Sequence, residues 1–579
     1  MNADPVMGVT EVGPSAVGAG DESSKRRTDR GEGRWKGQAQ GTRGPRWLRL
    51  GGVPLFVWLL VALQGALMFM CTFLYPADYG YDEPQHVDMA YAYAQGHGLY
   101  GPGERRTAVG IKQTERGPGY PPQRPFSDVD IVPRGERQSI DEMGGDRPSL
   151  VGYPNQMVQH PPLYYLLGAG VFRVPGVAQL PYDQQIAMLR VLSILMMMPL
   201  PLLAWAMTRT WAGDGPIALA AGAMPLTLPN LARSGATFNN DNLAILLTSL
   251  ILLLVARVVA GDLSRRTGVL LGLLMTGALL TKAFALVLPP VVLLAYLVAW
   301  RRFRRSLPWR PALLALLIGG IPGGLWWLHN LVSYGAVQPF GYGKENLTKI
   351  VGPIVPTTAG PQDFVTGFVE RMSQRFYGGI GLPEGPAFPA MVAYIWTGML
   401  VLAVLVGFAF GFSDRLGRTA VLVILAPTAL SLVILARETY LVWAQHAGRF
   451  AGVQGRYMYP FFVPVAGLAV TGLAWVLRRR LARVLPLAVL VAALATQVVA
   501  WRTLLLAWWV PVGAAGDRAA MFSGAWAGLV RWSPWPEAVT AIPFVLVILL
   551  SLTCLLAAFL SVRSGRGQSE VTAVAVTVG

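Results

Sequence analysis

The chain has 579 residues, of which 53% are hydrophobic and only 14% charged, and its mean hydropathy is +0.46. A soluble chain of this length needs far more polar surface to cover itself, so a soluble globular protein is excluded. The net charge of +17 would suit nucleic acid, but the basic residues stand in short clusters between apolar runs, the pattern that orients membrane spans, so no nucleic-acid partner is implied.

Residues 1–46 are rich in Gly, Ser, Asp, Lys and Arg without apolar periodicity, and are expected to form a disordered cytoplasmic tail. The first apolar run begins near Val53 and is too long for a signal-peptide core, so it is read as an uncleaved anchor. Runs of the length that crosses about 30 Å of hydrocarbon predict twelve spans, at about 53–74, 184–208, 214–230, 241–259, 268–281, 283–300, 311–330, 389–411, 418–436, 457–477, 484–506 and 541–562. The expected fold is therefore all-α, a transmembrane domain over 47–563 with a short cytoplasmic tail at 564–579. Cys71 and Cys554 both fall inside apolar runs, which argues against a disulfide framework or a cysteine metal site.

Arginine clusters set the orientation. Arg43, Arg46 and Arg49 precede the first span, Arg209 follows the second, and Arg257, Arg265 and Arg266 follow the fourth. Arg301, Arg302, Arg304, Arg305 and Arg310 follow the sixth; Arg415 and Arg418, then Arg478 to Arg480 with Arg483, fill two later loops; Arg563 and Arg566 end the last span. With alternating spans all of these share one side, which places both termini in the cytoplasm. Both flanks of 268–300 are basic, so that stretch must cross twice, turning near Thr281–Lys282 as two short halves whose irregular backbone lines a cavity. The large outward loops are then 75–183, 331–388, 437–456 and 507–540. The Gly- and Pro-rich middle of the first loop, 101–152, reads as irregular or partly mobile, and 161–174 as an amphipathic segment lying in the interface.

On this topology all five histidines, His86, His97, His160, His329 and His446, fall on or near the outer face. The first outward loop opens with Asp82-Glu83-Pro84-Gln85-His86. Asp82 and Gln85 can be explained as a helix N-cap and capping box with Pro84 in the first turn, but Glu83 and His86 cannot. A carboxylate here can take a proton from an acceptor. His160-Pro161-Pro162 begins the interfacial segment, and Asn239-Asn240-Asp241-Asn242 enters the fourth span, where an Asx turn and N-cap would also account for it. Lys282, the only lysine within a predicted span region, sits at the break between the two short halves. It is either a snorkelling cation or a phosphate ligand. Gln454-Gly455-Arg456-Tyr457 enters the tenth span from outside, where Arg456 could grip two phosphate oxygens or simply anchor at the interface.

The order of these pieces resembles the GT-C superfamily of multi-span glycosyltransferases, to which protein O-mannosyltransferases belong, and more narrowly a group of bacterial membrane proteins of unknown function. The resemblance runs from about 80 to 460 and includes Leu280-Thr281-Lys282, Trp327-Leu328-His329-Asn330 and Tyr334-Gly335. His329 stands where such proteins often have arginine, and Ser373-Gln374-Arg375-Phe376-Tyr377-Gly378 matches the neighbouring pattern only loosely. What the resemblance implies is an inverting transfer from a polyprenyl-phosphate-linked sugar to an extracytoplasmic glycan, lipid or protein acceptor, in a bacterial cytoplasmic membrane. Asp82 is then expected as base, with Glu83 as orienting partner or substitute. His86, His160, Asn240, Asp241, Lys282, His329, Gln454, Arg456 and Tyr457 are expected to bind donor phosphate or substrate. His86 could also join a divalent-metal site, though the ligand set is too incomplete to define one. The rival class, a transporter or lipid flippase, usually buries ionisable groups near the bilayer midplane, whereas the middles of these spans contain no Asp or Glu.

Overall fold

The structure, a computed structural model, describes residues 49–577 apart from 116, 119–121, 304–307, 379–387, 412–416, 451, 478–480 and 515, with side chains to 562. The tail 1–46, the orienting residues Arg304, Arg305, Arg415, Arg478, Arg479 and Arg480, and the side chains of Arg563, Arg566 and the C-terminal tail lie outside the described residues.

Among the described residues the architecture is helical, and ten helices are long and apolar enough to cross a membrane. They are Leu55–Leu74, Tyr182–Ala212, Asp241–Val259, Ala283–Phe303, Trp309–Tyr334, Ala390–Phe410, Gly417–Gln445, Gly455–Val476, Ala482–Trp508 and Glu537–Val562. The described sheet structure is a two-stranded antiparallel hairpin before the first helix, Arg49–Leu50 with Val53–Pro54, in register Arg49↔Pro54 and Leu50↔Val53.

Two predicted spans are shorter than expected, and proline explains one of them. The run 214–230 folds as Pro216–Ala223, a 3-10 turn Met224–Thr227 and a separate helix Pro229–Gly235. Pro225 and Pro229 cannot donate the backbone bonds that a continuous helix would need there. The run 268–281 forms the 15-residue helix Arg265–Leu279, and the chain then breaks as expected: Lys282 is extended (φ −160°, ψ 150°) before a 3-10 turn Ala283–Val287 leads into Leu288–Phe303. The last span continues as helix to Thr577, through the stretch expected to be a tail.

Burial separates central helices from peripheral ones. The apolar window of Gly455–Val476 is 78% buried against protein and that of Asp241–Val259 is 72%, whereas Ala390–Phe410 is 17% buried. The two most enclosed spans each begin with a motif singled out from the sequence, Arg456 on one and Asp241 on the other. A charged side chain at such a position is held by protein and excluded from lipid.

The long loop 75–183 has its own apolar core. Val87, Tyr91, Ile111, Ile140, Met157, Tyr164, Tyr165, Phe172 and Phe238 pack together beneath it. The segment expected at the interface is the helix Leu163–Phe172. It turns Tyr164, Tyr165, Gly168, Ala169 and Phe172 inward and leaves Leu166 and Leu167 exposed, a helical period with one wet or lipid-facing side. The middle of the loop is irregular but held by ion pairs. Asp88 accepts from Arg105 Nε at 3.0 Å and Nη2 at 2.7 Å, from Asn155 Nδ2 at 2.7 Å and from the Ala108 amide at 2.8 Å. Farther along, Arg137 pairs with Asp183 at 2.5 Å and donates to the carbonyls of Arg531 and Ser533, which fastens this loop to the segment 507–540.

Candidate active site

The helix Glu83–Ala94 begins where the capping reading puts it, but Asp82 does not cap it. Asp82 occupies the N-cap position with φ +53°, and its carboxylate makes no bond to the helix amides. A positive φ costs an aspartate about 1 kcal/mol or more, a strain that accumulates at functional positions. The side chain instead accepts from Arg456 Nη2 at 3.3 Å and Gln156 Nε2 at 3.5 Å, and it is 40% exposed.

Glu83 is placed quite differently. Its carboxylate is fully buried and takes a two-pronged bond from Arg190, Nε to Oε1 at 2.8 Å and Nη2 to Oε2 at 2.5 Å. It also accepts from the Gly80 amide at 3.2 Å and the Phe238 amide at 2.9 Å. Arg190 completes the knot by donating to the carbonyls of Thr72, Tyr75 and Pro76. Gly80 is required here, because a Cβ would stand 2.7 Å from Thr237 and 2.9 Å from Glu83. Four donors on one carboxylate leave Glu83 no room to take a substrate proton. It ties the end of the first span, the Asp82 turn, the Phe238–Asn240 turn and the second span together.

The turn before Asp241–Val259 is buried and divides its side chains between local structure and the site. Asn239 makes the Asx turn, its Oδ1 accepting from the Asp241 amide at 2.8 Å, and Asn242 bonds the Thr237 carbonyl at 2.9 Å. Asn240 and Asp241 are thereby released to face Lys282, whose Nζ lies 3.2 Å from Asn240 Oδ1 and 2.5 Å from Asp241 Oδ1. Arg456 meets the same carboxylate from the other side, with Nε 3.3 Å from Asp241 Oδ2 but not aligned for a hydrogen bond. Gly455 lets this arginine approach: a Cβ would lie 2.2 Å from the Phe376 amide nitrogen. The Arg456 guanidinium also lies 4.0 Å from the Tyr81 ring centroid, and Arg233 lies 4.0 Å from the same ring. Tyr457 supplies a further face, 5.4 Å from Lys282 Nζ.

Two histidines complete the cluster. His86 Nδ1 is 3.1 Å from the Tyr165 hydroxyl, which Asn240 Nδ2 approaches at 3.4 Å. His160 is buried, and its Nδ1 meets no hydrogen-bonding group among the described residues. Burial, reinforced by the Lys282 charge, pushes His160 down to about 3, and burial with Lys282 nearby likewise lowers His86 well below the ordinary imidazole range. Both rings are neutral at physiological pH.

The motifs thus converge in space. Asp82, His86, His160, Asn240, Asp241, Lys282, Arg456 and Tyr457 share one cluster at the mouth of the central helices. Glu83 is adjacent but is not available as a substitute base. His329 stands elsewhere: it is exposed at the end of Trp309–Tyr334, bonded to Ser333 at 3.3 Å and edge-on to Tyr334. Gln454 borders Arg456, with no side-chain bond to the cluster among the described residues. Arg190 was not anticipated, although a signal was present, because it is the only charged residue in the apolar run 184–208. Among the described residues no group of three or more His, Cys, Asp or Glu is arranged to hold a metal ion. The carboxylates Asp82 and Asp241 are turned to protein cations.

Residues 159–326 match the family model of dolichyl-phosphate-mannose-protein mannosyltransferase. No curated protein matches the chain. Among solved structures, the chain is similar to ArnT from Cupriavidus metallidurans bound to undecaprenyl phosphate, at 13% identity and a TM-score of 0.42, with 86% of this chain and 77% of that chain covered. It is also similar to the Archaeoglobus fulgidus oligosaccharyltransferase in complex with zinc and sulfate, at 14% identity and a TM-score of 0.41, covering 77% of this chain and 53% of that one. The ten apolar helices make this a polytopic membrane protein, and over residues 159–326 the family match agrees with the class expected from the motifs, a membrane glycosyltransferase. More particularly, the matched stretch contains His160, Asn240, Asp241 and Lys282, while Asp82, His86, Arg456 and Tyr457 lie outside it.

Proposed function

We propose that the chain transfers a sugar from a polyprenyl-phosphate donor to an acceptor outside a bacterial cytoplasmic membrane, with both termini in the cytoplasm. The observation that carries this is the meeting of Lys282 and Arg456 on Asp241 at 2.5 and 3.3 Å, with Asp82 on the far side of Arg456. Lys282 has three N–H donors and bonds two acceptors here, and Arg456 Nη1 is buried without an acceptor among the described residues. Each cation therefore has a donor left for a phosphate oxygen. A lipid phosphate carries its charge at the depth where these helices begin, so it can reach both cations without its charge entering hydrocarbon.

In the reaction, Asp82 accepts the proton of an acceptor hydroxyl as its oxygen bonds to the sugar C1. The C1–O bond to phosphate breaks on the opposite face, inverting that carbon, and the electron pair leaves with the polyprenyl phosphate. Lys282 and Arg456 neutralise the charge that develops there, so the leaving group requires no proton. The exposure of Asp82 suits a base that must reach an incoming acceptor. The acceptor class is an extracytoplasmic glycan, lipid or protein.

The test is transfer by purified protein in detergent, where no gradient exists to drive a transporter. Supplied with a panel of polyprenyl-phosphate sugars and envelope glycan fractions, the protein should release polyprenyl phosphate in step with glycosylated product, followed by mass spectrometry. Absence of both binding and turnover across the panel would remove the reading. Orientation is tested separately: cysteines introduced beside Asp82 and Arg456 should react with an impermeant thiol reagent in intact cells. Labelling only after permeabilisation would overturn the outward assignment.

A further inference from the structure

A cavity of about 240 Å³ is lined in part by Val158 of the Gln156–Gln159 turn, whose Gln156 bonds Asp82. Tyr100 and Glu104 of the first outward loop face Trp326, His329, Asn330 and Tyr334 of the helix Trp309–Tyr334 across it. We propose that this cavity is an acceptor-side subsite for a single neutral sugar ring of a glycan. The assignment rests on the glycosyltransferase reading above.

Three features define the ligand class. The first is size: the volume is below the roughly 300–1,000 Å³ of sites for drug-sized molecules, so it suits one small ring and not an oligosaccharide. The second is the balance of donors and acceptors. Trp326 lines the cavity as an aromatic face, and Tyr100 and Tyr334 line it as well. Glu104 uses one oxygen, Oε2, to accept from the Gly101 amide at 2.6 Å, and its carboxylate can still accept from a ligand hydroxyl. Asn330 bonds the Val337 carbonyl through Nδ2 at 3.2 Å, which orients its amide, and His329 adds an imidazole. A mixture of donors and acceptors with aromatic faces matches the alternating hydroxyls and C–H faces of a sugar ring. Arg105, which bonds Tyr100 at 3.3 Å, is itself paired with Asp88 and Asp146, so Glu104 is the charged group lining the cavity and an anionic ring is disfavoured. The third feature is preorganisation, since the Gly103 amide donates to the Gly341 carbonyl at 2.9 Å and ties the loop bearing Glu104 to the segment after the helix.

Position argues for the acceptor over the donor. The donor sugar is bonded directly to its phosphate and must lie within one ring of Lys282 and Arg456. The acceptor must instead approach Asp82, which takes its proton. The Gln156–Gln159 turn connects these places: Gln156 Nε2 bonds Asp82 at 3.5 Å while Val158, two residues on, lines the cavity. A glycan ring in the cavity would therefore lie against the same short turn that contacts the base.

The experiment measures saturation-transfer NMR on the full chain in detergent with methyl glycosides as probes, methyl α-mannopyranoside, methyl β-galactopyranoside and methyl arabinofuranoside. At least one should receive magnetisation; Glu104→Gln should weaken its binding by about three- to tenfold, the effect of one hydrogen bond, and Trp326→Ala should weaken it by removing an aromatic face. Tyr334→Phe replaces either variant that fails to elute as a folded species. No transfer to any glycoside, or binding unchanged by both substitutions, overturns the proposal. So does displacement of the glycoside by a polyprenyl-phosphate sugar but not by sugar-free polyprenyl phosphate, which would put the donor's own sugar in the cavity. The wild-type chain is assayed in parallel for sugar transfer. A chain that transfers but binds no glycoside loses only the cavity assignment, whereas one that binds glycosides but uses no lipid-linked sugar loses the transferase reading.

Discussion

Asp82 and Glu83 are joined by one peptide bond, yet the regions around them are built to opposite ends. Around Glu83 every strong donor is matched: the carboxylate is fully buried and receives Arg190, the Gly80 amide and the Phe238 amide. Around Asp82 the charges are only partly matched, with a half-exposed carboxylate, a 3.3 Å contact to Arg456 and an arginine nitrogen left without an acceptor. Full satisfaction makes a rigid joint, and incomplete satisfaction leaves groups free to bind and react. The first region fixes where the second one stands.

The largest expected effect separates the two. Asp82→Asn keeps the shape and removes the base, so transfer in detergent should fall by roughly 10²–10⁴-fold while thermal unfolding stays within a degree or two. Full activity in a well-expressed Asp82→Asn protein would break the comparison at its centre. Arg190→Ala or Glu83→Gln should do the reverse. Removing one member of a buried pair leaves the other uncompensated, at about 3–5 kcal/mol. Both variants should unfold at markedly lower temperature, and the double substitution should cost less than the sum of the two. A Glu83→Gln protein of native stability that is catalytically dead would restore Glu83 as a chemical participant.

Much of this was legible in the sequence, and the exceptions have physical causes. The apolar runs, the break at Lys282 and the gathering of the motifs follow from hydropathy and motif order, because lipid exposure and backbone satisfaction leave few alternatives. The resemblance ranked Asp82 before Glu83 as base, but the full burial of Glu83 was not legible, because adjacent carboxylates differ only in where they point, and that is set by Arg190 more than 100 residues away. His329 was expected beside the donor because it follows the motif order, but the helix carries it outward to the cavity facing Glu104. Spans 214–230 and 268–281 came out short, the first because Pro225 and Pro229 divide an apolar run that composition alone leaves whole.

The next effect is smaller and concerns only the partly matched region. Lys282→Ala and Arg456→Ala each delete a charge-assisted contact to the donor phosphate, worth about 1.5–3 kcal/mol, and should weaken donor use by roughly ten- to a hundredfold. Arg456→Lys should recover only part, since the planar fork that spans Asp82 and Asp241 is lost. Equal rates for Arg456→Lys and wild type would mean that a point charge suffices there.

The smallest expected effect is read from pH. His160 belongs to the partly matched region, but it is held neutral: burial first, and then Lys282, lower it from 6.5 to about 3. The unfolded chain therefore binds a proton between these values that the native chain refuses, and stability rises with pH across that window. The contribution is complete above the unfolded value and fades as pH falls towards the folded one. At pH 5.5 the native state should have lost about 1 kcal/mol relative to pH 7.5 on this account, at 1.36 kcal/mol per unit below the unfolded value. His160→Gln cannot take up the proton, so its unfolding temperature in detergent should fall less between pH 7.5 and 5.5 than that of the wild type. His86 is lowered in the same direction and by the same causes, so His86→Gln with His160→Gln should flatten the profile further. An unchanged acid slope in the double variant would mean that the imidazoles are already protonated in the native state. They would then add two cations to the phosphate site, and the distinction between a fully matched joint and a partly matched reaction centre would have to be redrawn with the histidines among its charges.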